Sequence, residues 1–165
     1  MPCKLALKAM LAAALFAAGA AKADDWLIYQ NDRYGTTIDY PAVFKMQPPP
    51  DADDGRRFES ADGASFAVSA SYGGIEFTPA AYHDFIVKHL DAGSTITYEA
   101  RGKNWFVVSG TRGDRIFYEK HLLSHGGEMT EDLVISYPAS RKDSYDPIVA
   151  RMAKSLRSGR GFQTQ

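Results

Sequence analysis

Two periods of apolar and polar residues alternate along this chain. Trp26 to Tyr29 and Thr36 to Tyr40 are dominated by aromatic and β-branched residues. The turn formers Asn31-Asp32 and Tyr34-Gly35 separate them, and Pro41 stops the second run, so two short paired strands are predicted. Pro48 to Asp54 holds three prolines and three aspartates, the composition of an extended, exposed loop. Arg57 to Ser60 and Ser65 to Ser71 flank Ala61-Asp62-Gly63, which predicts a hairpin with Gly63 at positive φ. At Thr78-Pro79 the period lengthens. A capping threonine and a first-position proline precede Tyr82, Phe85, Ile86 and Leu90 at helical spacing, and Gly93 is the expected stop.

Period-two patterning then returns. Thr95 to Glu99, Trp105 to Ser109, Arg115 to Leu123 and Leu133 to Tyr137 are separated by Gly102-Lys103, Gly113-Asp114 and Gly126-Gly127, predicting a four-stranded antiparallel meander. Phe106-Val107-Val108 and Leu133-Val134-Ile135 are continuously apolar, so both faces of the sheet are expected to be covered there. Asp146-Pro147 is the expected start of a second helix bearing Ile148, Val149, Met152 and Leu156 on one face. The order gives an α+β fold, an antiparallel sheet of about six to seven strands with a helix on each face, or α/β/α sandwich. One domain over 24–158 and a fraying tail over 159–165 complete the expectation.

The N-terminus changes the compartment. Lys4 and Lys8 precede the apolar run Met10 to Ala21, and Ala21-Lys22-Ala23 offers a small-x-small cleavage site before Asp24-Asp25. Residues 1–23 therefore read as a secretory signal peptide, too short in its apolar part to span a bilayer, and the protein is expected to be exported, periplasmic or secreted. Its removal takes three lysines and no acid, moving the formal charge from −1 to −4 over the remaining 142 residues. A mildly acidic domain without a basic face is a poor nucleic-acid binder. Cys3, the only cysteine, lies before the cleavage region, so neither a disulfide nor a lipid anchor is expected, and no stable membrane anchor of any kind.

Tyr34-Gly35-Thr36-Thr37-Ile38-Asp39-Tyr40-Pro41, followed by the proline-rich loop, resembles the opening strand of the PsbP-like superfamily. That group includes a lumenal photosystem II subunit and a eukaryotic Ran-binding import factor. The resemblance implies an antiparallel sheet between helices and a role in binding partners or assisting assembly, with no shared catalytic site. Gly55-Arg56-Arg57-Phe58 with Asp62-Gly63, and Ser109-Gly110 with Gly113 to Lys120, are similar to small exported proteobacterial proteins of unknown function.

Candidate chemistry is sparse. Arg56, Arg57, Asp62, Arg115 and Glu119 carry the charge of these runs and read either as salt-bridged hairpin structure or as recognition of an anionic group or partner loop. Glu119, His121 and His125 share a strand face by alternation, a donor set suited to Zn²⁺ or Cu²⁺. A rise of roughly 3.3 Å per residue nevertheless separates the two histidines by about 13 Å, too far for one ion. His83 and His89, beside Asp84 and Asp91, invite a hydrolytic triad, but no G-x-S-x-G elbow is present. Gly73-Gly74 and Gly126-Gly127 lack the lysine-serine helix of a phosphate loop. Trp105, Phe117, Tyr118 and Tyr137 read as packing aromatics. No cofactor is expected. The leading reading is a non-enzymatic binding or assembly-accessory protein of the cell envelope whose partner, an envelope protein or small ligand, meets the Pro48 to Asp54 loop and the Arg56-Arg57 strand. A small hydrolase or metal-dependent enzyme, and a small-molecule carrier with a pocket between sheet and helix, are the alternatives.

Overall fold

The computed structural model describes residues 25–72 and 78–159. The expected signal peptide at 1–23, Gly73-Gly74 and residues 160–165 of the expected tail lie outside them. Strands β1 (Trp26–Gln30) and β2 (Thr37–Pro41) form an antiparallel pair in the register Trp26–Pro41 to Gln30–Thr37. Asn31 shapes the connection, its Oδ1 accepting the Tyr34 amide at 2.8 Å, and Gly35 adopts a φ of 72° that favours glycine.

A separate seven-stranded antiparallel sheet contains β3 (Phe44–Met46), β4 (Gly55–Ser60), β5 (Ser65–Tyr72), β6 (Ser94–Arg101), β7 (Trp105–Arg112), β8 (Arg115–Ser124) and β9 (Met129–Pro138). Its order is β3-β4-β5-β9-β8-β7-β6. The predicted hairpin and the predicted meander are thus joined by β9, which pairs with β5 on one side and β8 on the other. Three-residue β3 has no counterpart in the sequence reading, being too short to show a period. β9 begins at Met129, four residues before its apolar run, because Thr130, Glu131 and Asp132 also pair in the sheet.

Helix α1 (Pro79–Lys88) starts as predicted: Thr78 Oγ1 accepts the Ala81 amide at 3.1 Å and Pro79 opens the first turn. It stops earlier than predicted, at a His89 cap, and Gly93 instead serves the turn into β6 with a φ of 82°. Helix α2 (Lys142–Ser155) likewise departs from the expected start at Asp146-Pro147. A short 3-10 turn at Ala139–Arg141 leads directly into it. Pro147 lies one turn inside, on the exposed side, where the Asp143 carbonyl it leaves unbonded can be hydrated. Asp146 is no cap; it pairs with Lys142 one turn back.

Alternation on β8 sorts the packing. Ile116, Tyr118 and Leu122 pack against a cluster that includes Phe58, Phe66, Leu133, Ile135, Tyr145, Val149 and Met152, and so engages α2. Phe117 and Leu123 belong with Tyr82 of α1, Phe106 and Val108 in a second cluster. Phe106, Val107 and Val108 are all buried, as their unbroken apolar run predicts. The parallel expectation for Leu133-Val134-Ile135 fails at its centre: Val134 remains 37% exposed, since its side of β9 is left partly uncovered. Strand β6 forms an edge with a bulge between Ile96 and Tyr98. There β7 comes so close that a Cβ on Gly110 would lie 1.9 Å from the Thr95 carbonyl oxygen, so only glycine fits.

Candidate functional site

Strand alternation sends Phe58 of β4 into the core and Arg57 and Glu59 to the opposite, open side, where Arg57 Nε donates to Glu59 Oε1 at 3.2 Å. Two hollows meet at Arg57. One, of about 470 Å³, is lined by Arg57, Glu59, Ser65, Arg112, Arg115 and Ser136 among others. The other, of about 300 Å³, lies against Pro48, Pro49, Pro50, Arg56 and Ala67. Arg115 is pinned at the start of β8, with Nε donating to Ser136 Oγ at 2.9 Å and Nη2 to the Gly63 and Ser136 carbonyls at 2.9 and 3.0 Å. That arrangement ties the β4–β5 turn to β8 and β9. Arg112, its partner across the β7–β8 hairpin, was not singled out from the sequence; its cross-strand pairing with Arg115 was implicit in the tight Gly113-Asp114 turn.

The other candidates have different partners. Arg56 pairs with Asp53 at 3.5 Å beside the proline loop, and among the described residues its buried Nε has no hydrogen-bond partner. Asp62 faces α2, accepting the Ser60 and Tyr145 hydroxyls at 2.5 and 2.8 Å and pairing with Arg141 at 3.0 Å. Burial would raise its pKa, but these hydrogen bonds, the Ala64 amide and the Arg141 charge bring it below the usual value. Of the five charged residues read from the sequence, the structure brings Arg57 and Arg115 to one hollow and Arg56 and Arg57 to the other, while Asp62 and Glu119 lie apart from both.

Glu119 and His121 are buried beneath α1. His121, 1% exposed, is bracketed by Asp132 Oδ1 at 2.7 Å from Nδ1 and Glu119 Oε2 at 3.3 Å from Nε2. Its ring stacks on Phe106 and meets Tyr82 edge-on, while the Tyr82 hydroxyl donates to Asp132 Oδ2 at 3.0 Å. Burial alone would lower the imidazole pKa, yet hydrogen bonds and charge from the two carboxylates raise it to about 9, so the ring is a buried imidazolium with both N–H groups used. Neither nitrogen is available to take a proton from a substrate. His125 does not join this group; it stands beyond the end of β8 in a 3-10 turn, within 2.9 Å of Ser124 Oγ. Among the described residues no cluster of three or more His, Cys, Asp or Glu is arranged to hold a metal ion.

The α1 histidines are engaged as well. His83 Nε2 lies 2.5 Å from Glu99 Oε1 and its Nδ1 3.2 Å from Asp84, while His89 Nδ1 faces the Phe85 carbonyl at 2.7 Å. No serine joins His83 in these bonds. Asp132, Glu99 and Glu131 went unnoticed in the sequence because each gains its role only from a neighbour brought close by folding; a polar Thr130-Glu131-Asp132 run leading into an apolar strand was the available signal. A further groove of about 680 Å³ opens between the sheet and α2, lined by Tyr98, Ser109, Tyr118, Tyr137, Val149 and other residues. Burial raises the Tyr118 and Tyr137 pKa values to about 12, so both hydroxyls stay neutral. Of the four aromatics read as packing groups, Phe117 and Tyr137 are buried, while Trp105 and Tyr118 are half-buried.

No family model and no curated protein sequence matches this chain. Solved structures do. Cyanobacterial PsbP (CyanoP) from Synechocystis superposes with a TM-score of 0.62 at 14% identity, covering 88% of this chain and 98% of that one. The Ran-binding protein Mog1p of Saccharomyces cerevisiae gives 0.57 at 11%, covering 81% and 95%. LpqN of Mycobacterium tuberculosis, described as involved in cell envelope biogenesis, gives 0.54 at 14%, covering 82% and 91%. The chain therefore has the PsbP-like fold.

Proposed function

We propose, with the PsbP-like fold as the premise, that this chain is an exported, non-enzymatic binding or assembly-accessory protein of the cell envelope. It is delivered by the segment 1–23 and works as one sandwich domain over 24–158, with α1 and α2 on opposite faces of the sheet. The alternation of β8 between the α1 and α2 clusters supports that layering. The observation that carries the functional reading is Arg57, which lines both the proline-loop hollow and the arginine hollow on an open sheet face. Extended loops beside a rigid sheet present contacts without reorganising, the arrangement that binding proteins use. Structural neighbours described as Ran-binding and as involved in envelope biogenesis fit a role of this class. Among the described residues no helix is long and apolar enough to cross a membrane.

The test is in-cell crosslinking of the tagged protein with mass spectrometry, against a tagged exported control. An envelope component captured by the native chain and lost on deleting Pro48 to Asp54 or on Arg57→Glu supports the reading; capture indifferent to both changes opposes it. The tyrosine-lined groove favours a second reading, a small-molecule carrier. A ligand-dependent rise in melting temperature, abolished by Tyr118→Ala, is its expected signature.

A further inference from the structure

Three guanidinium groups line the 470 Å³ hollow: Arg112 and Arg115 are held in place by their Nε atoms, which donate to Ser94 Oγ at 3.0 Å and to Ser136 Oγ, and Arg57 stands at the exposed rim, paired with Glu59. Arg112 Nη1 also pairs with Asp91, and Arg115 Nη2 is spent on backbone carbonyls. Among the described residues no hydrogen bond engages Nη1 or Nη2 of Arg57, Nη2 of Arg112 or Nη1 of Arg115. Anchored arginines with unused terminal donors are pre-organised, so a bound anion need not pay the full entropy of ordering them. Ser65 and Ser136 add hydroxyls, and Glu59 is the one carboxylate in the lining. A single carboxylate is satisfied by one guanidinium fork. Ser60 also lines the hollow, but its hydroxyl donates to Asp62, and the three guanidinium groups with the Ser65 and Ser136 hydroxyls suit an anion with more oxygens and more charge.

We infer that this hollow binds a phosphate group. The inference rests on the reading of the Arg57 face as a binding surface and names the chemistry of what it recognises. A free phosphate or phosphoester and an anionic lipid headgroup both present this group, and Glu59 competes with it for Arg57.

The test is an NMR titration of the full ¹⁵N-labelled chain with inorganic phosphate, with chloride at matched ionic strength and with acetate as controls. The expected result is saturable shifts at Ser65, Arg112, Arg115 and Ser136 with phosphate alone. Arg57→Gln, at an exposed side chain that makes one ion pair, should weaken binding at least fivefold, and Glu59→Gln should tighten it. Vesicles of phosphatidylglycerol and of phosphatidylcholine separate the sources: retention on the former alone assigns a lipid headgroup, and phosphate binding without retention assigns a soluble phosphate. Absence of saturable shifts, equal shifts with acetate, or binding indifferent to Arg57→Gln overturns the inference. A partner captured in cells through Arg57, with no phosphate binding, would leave the accessory reading standing and remove this one.

Discussion

Replacing His121 with glutamine removes the cation from between two carboxylates that folding has taken out of water. The charged ring is favoured in the fold because its pKa rises from an ordinary 6.5 to about 9. At about 1.4 kcal/mol per unit, that shift represents roughly 3 kcal/mol. The His121 side chain is 2% exposed, so solvent screens little of this. A folded-state pKa above the unfolded value means that the stabilisation is complete below about pH 6.5 and is lost as pH rises through about 9. Urea unfolding of the native chain and His121→Gln at pH 6 and pH 9.5 reads the effect directly. The native chain should be more stable by about 3 kcal/mol at pH 6, a midpoint difference of about 1–3 M urea, and most of that difference should vanish by pH 9.5. Burial lowers the Lys120 pKa in both proteins, so its contribution cancels in the comparison. An advantage that stays constant from pH 6 to 9.5 would refute the reasoning. It would mean that packing between Phe106 and Tyr82, and not charge, gives His121 its place.

Other consequences are as concrete. Glu131 is fully buried, and burial raises its pKa despite hydrogen bonds from the Ser124 and Ser158 hydroxyls, so its ionisation opposes folding as pH climbs above the ordinary carboxylate range. Glu131→Gln should therefore raise the melting temperature at pH 7 and have less effect at pH 4. Gly110→Ala drives a Cβ into the Thr95 backbone and should cost about 1–3 kcal/mol in urea unfolding, with amide exchange quickening first in β6. Tyr145→Phe deletes the hydroxyl that donates to Asp62 and should cost about 1 kcal/mol at pH 7, with the loss shrinking as acid protonates Asp62, whose lowered pKa confers stability only above the carboxylate range. Thr78→Ala removes the α1 cap and should cost about 1 kcal/mol.

Local signals made most of the fold legible. The Thr78-Pro79 cap, the Gly63 and Gly113 turns and the period-two runs are decided within a few residues, and the structure keeps them. The hairpin and meander neighbours were legible too, but the long-range pairing of β5 with β9 was not. Placing β9 between β5 and β8 sets Asp132 opposite His121 and Glu131 opposite Ala70, and it also leaves Val134 on a partly open face. The same long-range pairing explains why Asp62 and Glu119, close to Arg57 and Arg115 in pattern, face different surroundings. Asp146-Pro147 misled because a proline tolerated on a hydrated helix face looks in sequence like a helix start.

If a partner is met at the open face around Arg57, contacts made there should be specific to that face. A photo-crosslinking residue placed at Ser69, beside the proline loop, and in a second protein at exposed Lys154 on α2, tests it in cells. The expected result is a discrete adduct with an envelope component from position 69 that disappears in the Arg57→Glu background, and none from 154. Equal adducts from both positions, or adducts from 154 alone, would contradict it.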